Sequence, residues 1–387
     1  MRKKTLELYL HIPFCIRKCD YCDFLSMSAE ESLKSKYMSA LLKEIATYRS
    51  LSLEYEVVTI FIGGGTPSCV NAKELQTVLE KIYEVFEITN RHELEITMEA
   101  NPGTLTKEKL AIYQLAGINR ISIGLQSTNG EELRALGRIH TYEQFLVSYD
   151  LAKQAGFTNI NIDLMSALPG QTVKSYEETL KKILALDPAH ISAYSLIIEE
   201  STPFYQRYHE GGSLEYLLPG EDSDRLMYHL TKTMLQEHGY YRYEISNYAK
   251  ASYPCKHNIG YWNGTQYQGI GLGAASYLKN QRFHNEENLS TYLKAIEARE
   301  NIRRDVVTLS RKERMEEFMF LGLRLTEGIN LISFQSEFGV SIESVYGNII
   351  QKMSSQGLLE TSKDNLRLTE EGLDVSNYVM AEFLLEE

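Results

Sequence analysis

Short apolar runs alternate with longer stretches of helical spacing through the first half of the chain. Six runs rich in apolar and β-branched residues predict strands: Leu6–His11, Val57–Ile62, Leu94–Glu99, Arg120–Leu125, Asn159–Leu164 and His190–Leu196. Helices are predicted between them: Ser32–Tyr48, Ala72–Phe86, Lys107–Ala116, Tyr142–Ala155 and Ser175–Leu186. This repeated alternation is typical of an α/β fold with a parallel sheet flanked by helices, either doubly wound or a partial barrel.

The predicted strand ends carry an unusual number of polar residues and glycines. In both kinds of parallel α/β fold, ligands bind at the carboxyl ends of the strands. We therefore expect the chemistry at the residues that follow the strands, which are Cys15–Cys22, Gly63–Pro67, Glu99–Gly103, Gln126, Asp163 and Ile197–Glu200.

The alternation stops after about Tyr205, and the second half is organised differently. Asp222–His238 predicts a helix, and a segment rich in tyrosine and glycine follows over Tyr240–Tyr277. From about Leu309 a helical pattern leads into shorter helices and a small hairpin, which resembles a winged-helix module. We therefore predict an α/β domain over residues 1–205, an accessory region over 206–305 and a small C-terminal domain over 306–387.

Charge and hydropathy narrow the classes of function. The 40 Lys and Arg against 52 Asp and Glu give a net charge of −12, which disfavours nucleic-acid binding. No apolar run approaches the roughly 18 residues that a membrane span needs, although peripheral membrane contact stays open. The basic N-terminus turns polar too soon for a signal peptide, and five cysteines form no disulfide framework. A cytoplasmic protein is predicted.

Three of the five cysteines lie close together directly after the first predicted strand. Cys15, Cys19 and Cys22 have C-x3-C-x2-C spacing, and such thiolates suit zinc or an iron–sulfur cluster. Structural zinc usually takes four ligands, and Cys69 and Cys255 have no neighbouring cysteine to complete a set. Three thiolates on a four-iron cluster would leave one iron open to a substrate or cofactor. Zinc, or three unrelated thiols, are the alternatives.

The cysteine segment HIPFCIRKCDYCDF resembles the cluster loop of radical S-adenosylmethionine (SAM) enzymes. The resemblance continues through FIGGGTPS, EANPGT, RISIGLQS, GRIH and NIDLMSALPGQT, and it covers nearly the whole chain. It narrows to the group of oxygen-independent coproporphyrinogen III oxidases and HemW-type haem chaperones. It implies a partial (β/α)6 barrel, a [4Fe–4S] cluster on Cys15, Cys19 and Cys22, and SAM on the open iron.

The same resemblance implies a SAM site at the strand ends. The residues expected there are Tyr9, Tyr21, Gly63, Gly64, Gly65, Thr66, Glu99, Gln126, Arg138 and Asp163. The glycine loop would bind the SAM ammonium, Arg138 would pair with its carboxylate, and Asp163 would contact the ribose or adenine. A simple strand-to-helix turn for the glycines and an ordinary strand role for Tyr9 are the alternatives.

A second motif, HNxxYW, spans residues 257–262 and matches the haem chaperones. His257 is a candidate axial ligand of haem iron, and Tyr261 and Trp262 are candidates to stack on the porphyrin. The alternative is a buried His–Asn pair with aromatic packing that holds the accessory region onto the barrel.

Two departures favour the chaperones over the oxidases within this group. The oxidases carry a fourth cysteine two residues after the third, where this chain has Phe24. They also carry an N-terminal extension, whereas this sequence starts fourteen residues before Cys15. We therefore predict a haem chaperone that binds haem as cargo and delivers it to a respiratory or other haem protein. A reductant such as flavodoxin or ferredoxin is the expected second partner. A coproporphyrinogen III oxidase, or a radical SAM enzyme with another substrate, remains the alternative.

Overall fold

The computed structural model describes residues 3–385, and a twelve-stranded sheet forms its centre. Six parallel strands follow one another in sheet order at its middle: β1 (Lys4–Ile12), β2 (Tyr55–Gly64), β3 (Glu95–Ala100), β4 (Arg120–Gln126), β5 (Asn159–Ser166) and β6 (His190–Ser195). Every run that was predicted to be a strand is one. The α/β fold with a largely parallel sheet is confirmed.

Helices connect these strands and cover the outer face of the sheet. They are α1 (Glu31–Ala46), α2 (Arg49–Glu54), α3 (Ala72–Val85), α4 (Lys107–Leu115), α5 (Gly130–Ala135), α6 (Tyr142–Gln154) and α7 (Val173–Leu184). Side-chain caps fix several starts, since Asn71, Thr106, Thr141 and Thr172 each accept a backbone hydrogen bond at the first turn. The sequence analysis missed α2 and α5, which have only six residues each.

The accessory region adds strands to both edges of this sheet. Its elements are α8 (Tyr205–Tyr208), α9 (Glu221–Glu237), β7 (Tyr241–Arg242), β8 (Asn247–Ala249), α10 (Lys256–Trp262), β9 (Tyr267–Ile270), β10 (Ala275–Leu278), β11 (Gln281–Asn285), α11 (Leu289–Ala298) and β12 (Arg303–Thr308). Strands β9 to β12 extend the sheet beyond β1, whereas β8 and β7 extend it beyond β6. Strands of two to six residues show too little periodicity to be predicted.

The C-terminal domain has its own sheet and its own core. It contains α12 (Arg311–Gly322), β13 (Ile329–Asn330), α13 (Leu331–Phe338), α14 (Ile342–Ser355), β14 (Leu359–Thr361), β15 (Asn365–Leu368), α15 (Glu370–Asp374) and α16 (Ser376–Ala381). Phe334, Tyr346 and Phe383 pack at the centre of that core. Three helices followed by a hairpin agree with the predicted winged-helix-like arrangement. Within residues 3–385, no helix has both the length and the apolar character needed to cross a membrane.

The six central strands have an apolar face and a polar face. Leu8, Ile60 and Ile121 belong to the fully buried apolar core. The alternate side chains are largely polar and contact one another across the strands, as where Ser122 donates a hydrogen bond to Asp163 at 3.2 Å. Because alternate residues of a strand point to opposite faces, the sheet lines a polar interior that ends at the cysteine loop.

Candidate functional site

The cysteine loop follows β1 and is tied to its surroundings by backbone and side-chain bonds. The amide of Cys15 donates to the carbonyl of Met27 at 3.0 Å, which closes the loop on itself. Asp20, in the middle of the loop, accepts a charged hydrogen bond from Arg207 at 2.6 Å. These contacts fix the loop over the carboxyl ends of the strands.

The loop presents three free thiols. Cys15 is buried, and Cys19 and Cys22 are half-buried. Burial raises the pKa values of the Cys15 and Cys22 thiols, so binding iron there requires proton release. Within residues 3–385, no three His, Cys, Asp or Glu side chains converge closely enough to hold a single metal ion. A set of three soft sulfur donors fits a four-iron cluster, which spreads its ligands over separate iron atoms.

Two neighbouring donors point at the sulfur atoms of the loop. The hydroxyl of Thr66 lies 3.4 Å from Cys15 Sγ, and Nη1 of Arg138 lies 3.6 Å from Cys19 Sγ. Hydrogen bonds of this kind stabilise a sulfur that carries negative charge. Both donors therefore suit cysteines that act as thiolate ligands.

Gly63, Gly64 and Gly65, at the end of β2 and directly after it, form a glycine loop that lies directly against the cysteine loop. Gly64 has φ +113°, and a Cβ there would lie 2.5 Å from the imidazole of His11. A Cβ on Gly65 would lie 2.8 Å from the carbonyl oxygen of Phe14 and 3.0 Å from the sulfur of Cys15. Larger residues would push the two loops apart, so the close approach explains the glycines.

Glu99 lies beside the glycine loop on the polar face of β3. Its Oε2 accepts a hydrogen bond from the amide of Gly64 at 3.1 Å. Burial, together with the nearby charge of Asp163, raises the pKa of Glu99 to about 8. A bound cation would stabilise its ionised form, so Glu99 is suited to contact an ammonium group.

Asp163 lies across the interior from Glu99, on β5. Ser122 donates to both of its oxygens, and Asn161 donates to Oδ1 at 2.7 Å. Burial raises the pKa of this carboxyl group as well. Oδ1 already accepts from two side chains, so Oδ2 is the oxygen that can accept a further hydroxyl or amino group.

Arg138 and Gln126 complete the polar surface at the strand ends. Nη2 of Arg138 donates to Asn101 Oδ1 at 3.0 Å and also to the carbonyl of Gly124. Its Nε is buried and has no partner among residues 3–385. Gln126 ends β4 with φ +72°, and its side-chain oxygen accepts a hydrogen bond from Tyr194 at 3.0 Å. Arg138 therefore keeps one donor for a further group.

The two predicted tyrosines lie at the edges of this site. Tyr9 is on the polar face of β1 and bonds to His11 Nδ1 at 3.1 Å. Tyr21 belongs to the cysteine loop and packs in a small apolar cluster with Leu136 and Phe204. Burial raises the pKa of both hydroxyl groups.

The structure gives contacts at the site to two residues for which the sequence analysis proposed no role, although Asn101 lies in the Glu99–Gly103 stretch. Asn101 bridges Arg138 and Thr66, and Tyr194 holds the side chain of Gln126. Asn101 lies in the EANPGT motif directly after β3, so its place at a strand end was a usable signal. Tyr194 lies inside a predicted strand, and no sequence feature distinguishes it from a core tyrosine.

The HNxxYW segment forms α10 near the amino-terminal ends of the strands, away from the cysteine loop. Glu95, the first residue of β3, accepts the backbone amides of Lys256 and His257 at 3.0 and 3.1 Å. His257 is 1% exposed, with Nδ1 bonded to Thr59 at 2.7 Å and Nε2 bonded to Tyr261 at 3.0 Å. Burial lowers its pKa to about 3, so the ring is neutral. Its partners are Thr59 and Tyr261 rather than the asparagine of the motif.

Trp262 ends the same helix in a different setting. It is half-buried, and the guanidinium of Arg324 lies 4.3 Å from its ring centre. Its indole N–H has no partner among residues 3–385. In this conformation neither ring nitrogen of His257 is free to bind iron. The haem contacts of His257, Tyr261 and Trp262 remain a prediction.

Comparison with known proteins agrees with this geometry. Residues 9–183 match the Radical SAM superfamily, and residues 309–375 match the HemN C-terminal domain. Heme chaperone HemW of Lactococcus lactis is 38% identical over 387 residues, which are 100% of this chain and 99% of that protein. The chain belongs to the HemW family. Membership in it implies a [4Fe–4S] cluster and SAM as cofactors.

Two further comparisons extend this assignment. The HemW of Bacillus subtilis is 36% identical and covers 98% of this chain and 99% of its own length. Among solved structures, coproporphyrinogen III oxidase (HemN) from Escherichia coli has a TM-score of 0.86, at 22% identity, and covers 99% of this chain and 90% of its own. At 22% identity, the likeness to HemN establishes only that the two proteins share a fold.

Proposed function

We propose that this protein is a haem chaperone on a radical SAM scaffold. It holds a [4Fe–4S] cluster and SAM at the carboxyl ends of the strands, binds haem as cargo and delivers it to a haem protein. The observation that carries the proposal is the full-length similarity to heme chaperone HemW of L. lactis. A flavodoxin or ferredoxin as reductant, and a cytoplasmic location, belong to the same proposal.

The strand-end residues have distinct roles in this proposal. Cys15, Cys19 and Cys22 would hold the cluster through three of its irons, and the bound cluster would supply the electron for cleavage of a carbon–sulfur bond of SAM. Glu99 binds the ammonium of SAM, and Arg138 donates to its carboxylate, a charge-assisted contact. The remaining residues that are predicted to contact SAM are Tyr9, Tyr21, Gln126 and Asp163.

Coproporphyrinogen III oxidase activity is the second candidate, because HemN of E. coli shares the fold. The oxidases characteristically carry a fourth cysteine at the position of Phe24, a residue that is 69% exposed on the cysteine loop. We therefore favour the chaperone.

For the cargo, we propose that haem lies against Trp262. A cavity of about 830 Å³ separates α10 from the C-terminal domain, and Trp262, Tyr277, Arg314 and Phe318 are among its lining residues. Aromatic faces with a cation at the rim suit a flat macrocycle that carries carboxylates. For His257 to ligate the iron, its hydrogen bond to Tyr261 must break.

Haem titration into the anaerobically reconstituted protein tests the proposal. Trp262 is the only tryptophan, so haem bound beside it is expected to quench the indole fluorescence with an endpoint of one haem per chain. Coproporphyrinogen III, incubated with the same protein, SAM and reductant, is expected to remain unconverted. Conversion to protoporphyrinogen IX would establish the oxidase, and the absence of stoichiometric haem binding would refute the chaperone.

A further inference from the structure

A chain of three hydrogen bonds runs from Arg138 to the sulfur of Cys15. Nη2 of Arg138 donates to Asn101 Oδ1 at 3.0 Å, and Asn101 Nδ2 donates to Thr66 Oγ1 at 2.7 Å. The Thr66 hydroxyl then donates to Cys15 Sγ at 3.4 Å. At the other end of the chain, Nη1 of Arg138 lies 3.6 Å from the sulfur of Cys19.

The direction of every bond in this chain follows from the chemistry of Arg138. A guanidinium group only donates, so the oxygen of the Asn101 amide must face it and the nitrogen must face Thr66. The Thr66 hydroxyl accepts from that nitrogen and directs its own proton to the sulfur. Donors aligned in one direction polarise one another, which strengthens the last bond to Cys15.

The residues of the chain are held in place by the ends of different strands. Thr66 follows β2, Asn101 follows β3, and Arg138 lies in the segment after β4. Thr66 is only 2% exposed, so water does not compete for its hydroxyl. Asn101 bonds to both other members, so its loss would release both donors.

We propose that Asn101 is a positioning residue that raises the reduction potential of the cluster by directing the Thr66 hydroxyl to Cys15. The inference rests on the proposed function, because it assumes a cluster on Cys15, Cys19 and Cys22. One-electron reduction adds negative charge to the cluster and its sulfur ligands. A hydrogen bond to a ligand sulfur stabilises that charge, and such bonds are among the factors that set cluster potentials.

The test is the midpoint potential of the reconstituted full-length protein, followed by EPR during reductive titration. Thr66→Val removes the donor to Cys15 at nearly constant volume, and Thr66→Ser keeps it. Asn101→Leu removes the amide donor to Thr66 without adding a charge near the cluster. Thr104→Val is the matched control, because the Thr104 hydroxyl bonds the carbonyl oxygen of Asn101 at 2.6 Å and no sulfur.

The potential is expected to fall in Thr66→Val and Asn101→Leu, and to remain at the wild-type value in Thr66→Ser and Thr104→Val. The double variant Thr66→Val/Asn101→Leu is expected to fall no further than Thr66→Val, since both neutral changes act on the same bond to Cys15. A wild-type potential in Thr66→Val, or an equal fall in Thr104→Val, would overturn the inference and leave the proposed function intact. A wild-type protein that assembles no cluster would overturn both. Should Asn101→Leu fail to fold, the Thr66 pair and its control still decide.

Discussion

The two ends of the barrel use buried polar groups in different ways. At the carboxyl ends of the strands, Thr66 and Arg138 direct their donors to cysteine sulfurs, and Arg138 keeps a further N–H. At the amino ends, His257 has both nitrogens bonded to protein groups, which fastens α10 to the sheet. The carboxyl ends therefore suit a ligand that accepts the remaining hydrogen bonds. At the amino ends, the hydrogen bonds of His257 are already made within the protein.

The largest expected effect is the loss of the cluster when a cysteine at the carboxyl ends of the strands is replaced. Replacement of Cys15, Cys19 or Cys22 by alanine is expected to abolish the reconstituted cluster, because each supplies one of only three thiolates. Iron content and visible absorbance measure this. Cys69→Ala is the control and is expected to keep the cluster, and about four irons in the triple variant would refute the assignment.

His257→Ala tests whether the amino end is a structural contact. The change leaves Thr59 and Tyr261 without their partner in a buried site and opens a cavity. We expect the free energy of unfolding to fall by about 2–4 kcal/mol. Urea denaturation measures it, with the exposed His92→Ala as control. Unchanged stability, combined with lost haem binding, would instead identify His257 as a ligand.

Arg138→Ala is expected to weaken SAM binding while the cluster remains. Loss of a charge-assisted hydrogen bond costs about 1.5–3 kcal/mol, which corresponds to a roughly 10- to 150-fold loss of affinity. Isothermal titration calorimetry on cluster-loaded protein measures this effect. Arg134→Ala removes an arginine that is 72% exposed, and its affinity should equal that of the wild type. If Arg138→Ala and Arg134→Ala bind SAM with equal affinity, Arg138 does not belong to the SAM site.

Glu99 gives the smallest effect, and it depends on pH. With a pKa near 8 in the folded protein and 4.5 as its reference, Glu99 holds its proton more tightly when folded. Stability contributed by this group is therefore lost as pH rises from about 4.5 to 8. Between pH 5 and pH 9, the free energy of unfolding of Glu99→Gln is expected to rise relative to that of the wild type by on the order of 2 kcal/mol. This figure follows from about 1.36 kcal/mol per pKa unit, reduced for partial screening.

Urea denaturation of the SAM-free protein at the two pH values measures the gain from Glu99→Gln. Glu56→Gln, at an exposed position of β2, is the control for general effects of charge removal. A difference between wild type and Glu99→Gln that stays constant with pH would show that Glu99 is ionised throughout the range.

The sequence was sufficient to predict the repeating strands and helices of the first half of the chain and the candidate site residues that follow the strands. Six strands of six to ten residues were recognisable because one full face of each is apolar. Cys15, Cys19 and Cys22 were recognisable because their ligand spacing is local. Short strands such as β7 and β8 were not, because β8 is placed by pairing with β6, and β7 by pairing with β8, rather than by their own sequence pattern.

Contacts between distant segments were beyond sequence reasoning. The burial of His257 depends on Thr59, nearly 200 residues earlier in the chain. The role of Asn101 depends on Thr66 and Arg138, which come from two other loops. A residue type gives the chemistry that a side chain can perform, but only the fold determines whether its polar atoms are already paired.

The most direct test of the account is the EPR spectrum of the reduced cluster with and without SAM. Three cysteine ligands leave one iron for SAM, so the account predicts that saturating SAM changes the spectrum of the wild-type protein. The change should require a higher SAM concentration in Arg138→Ala. An unchanged wild-type spectrum at saturating SAM would contradict the claim that the strand ends form an open cluster and SAM site.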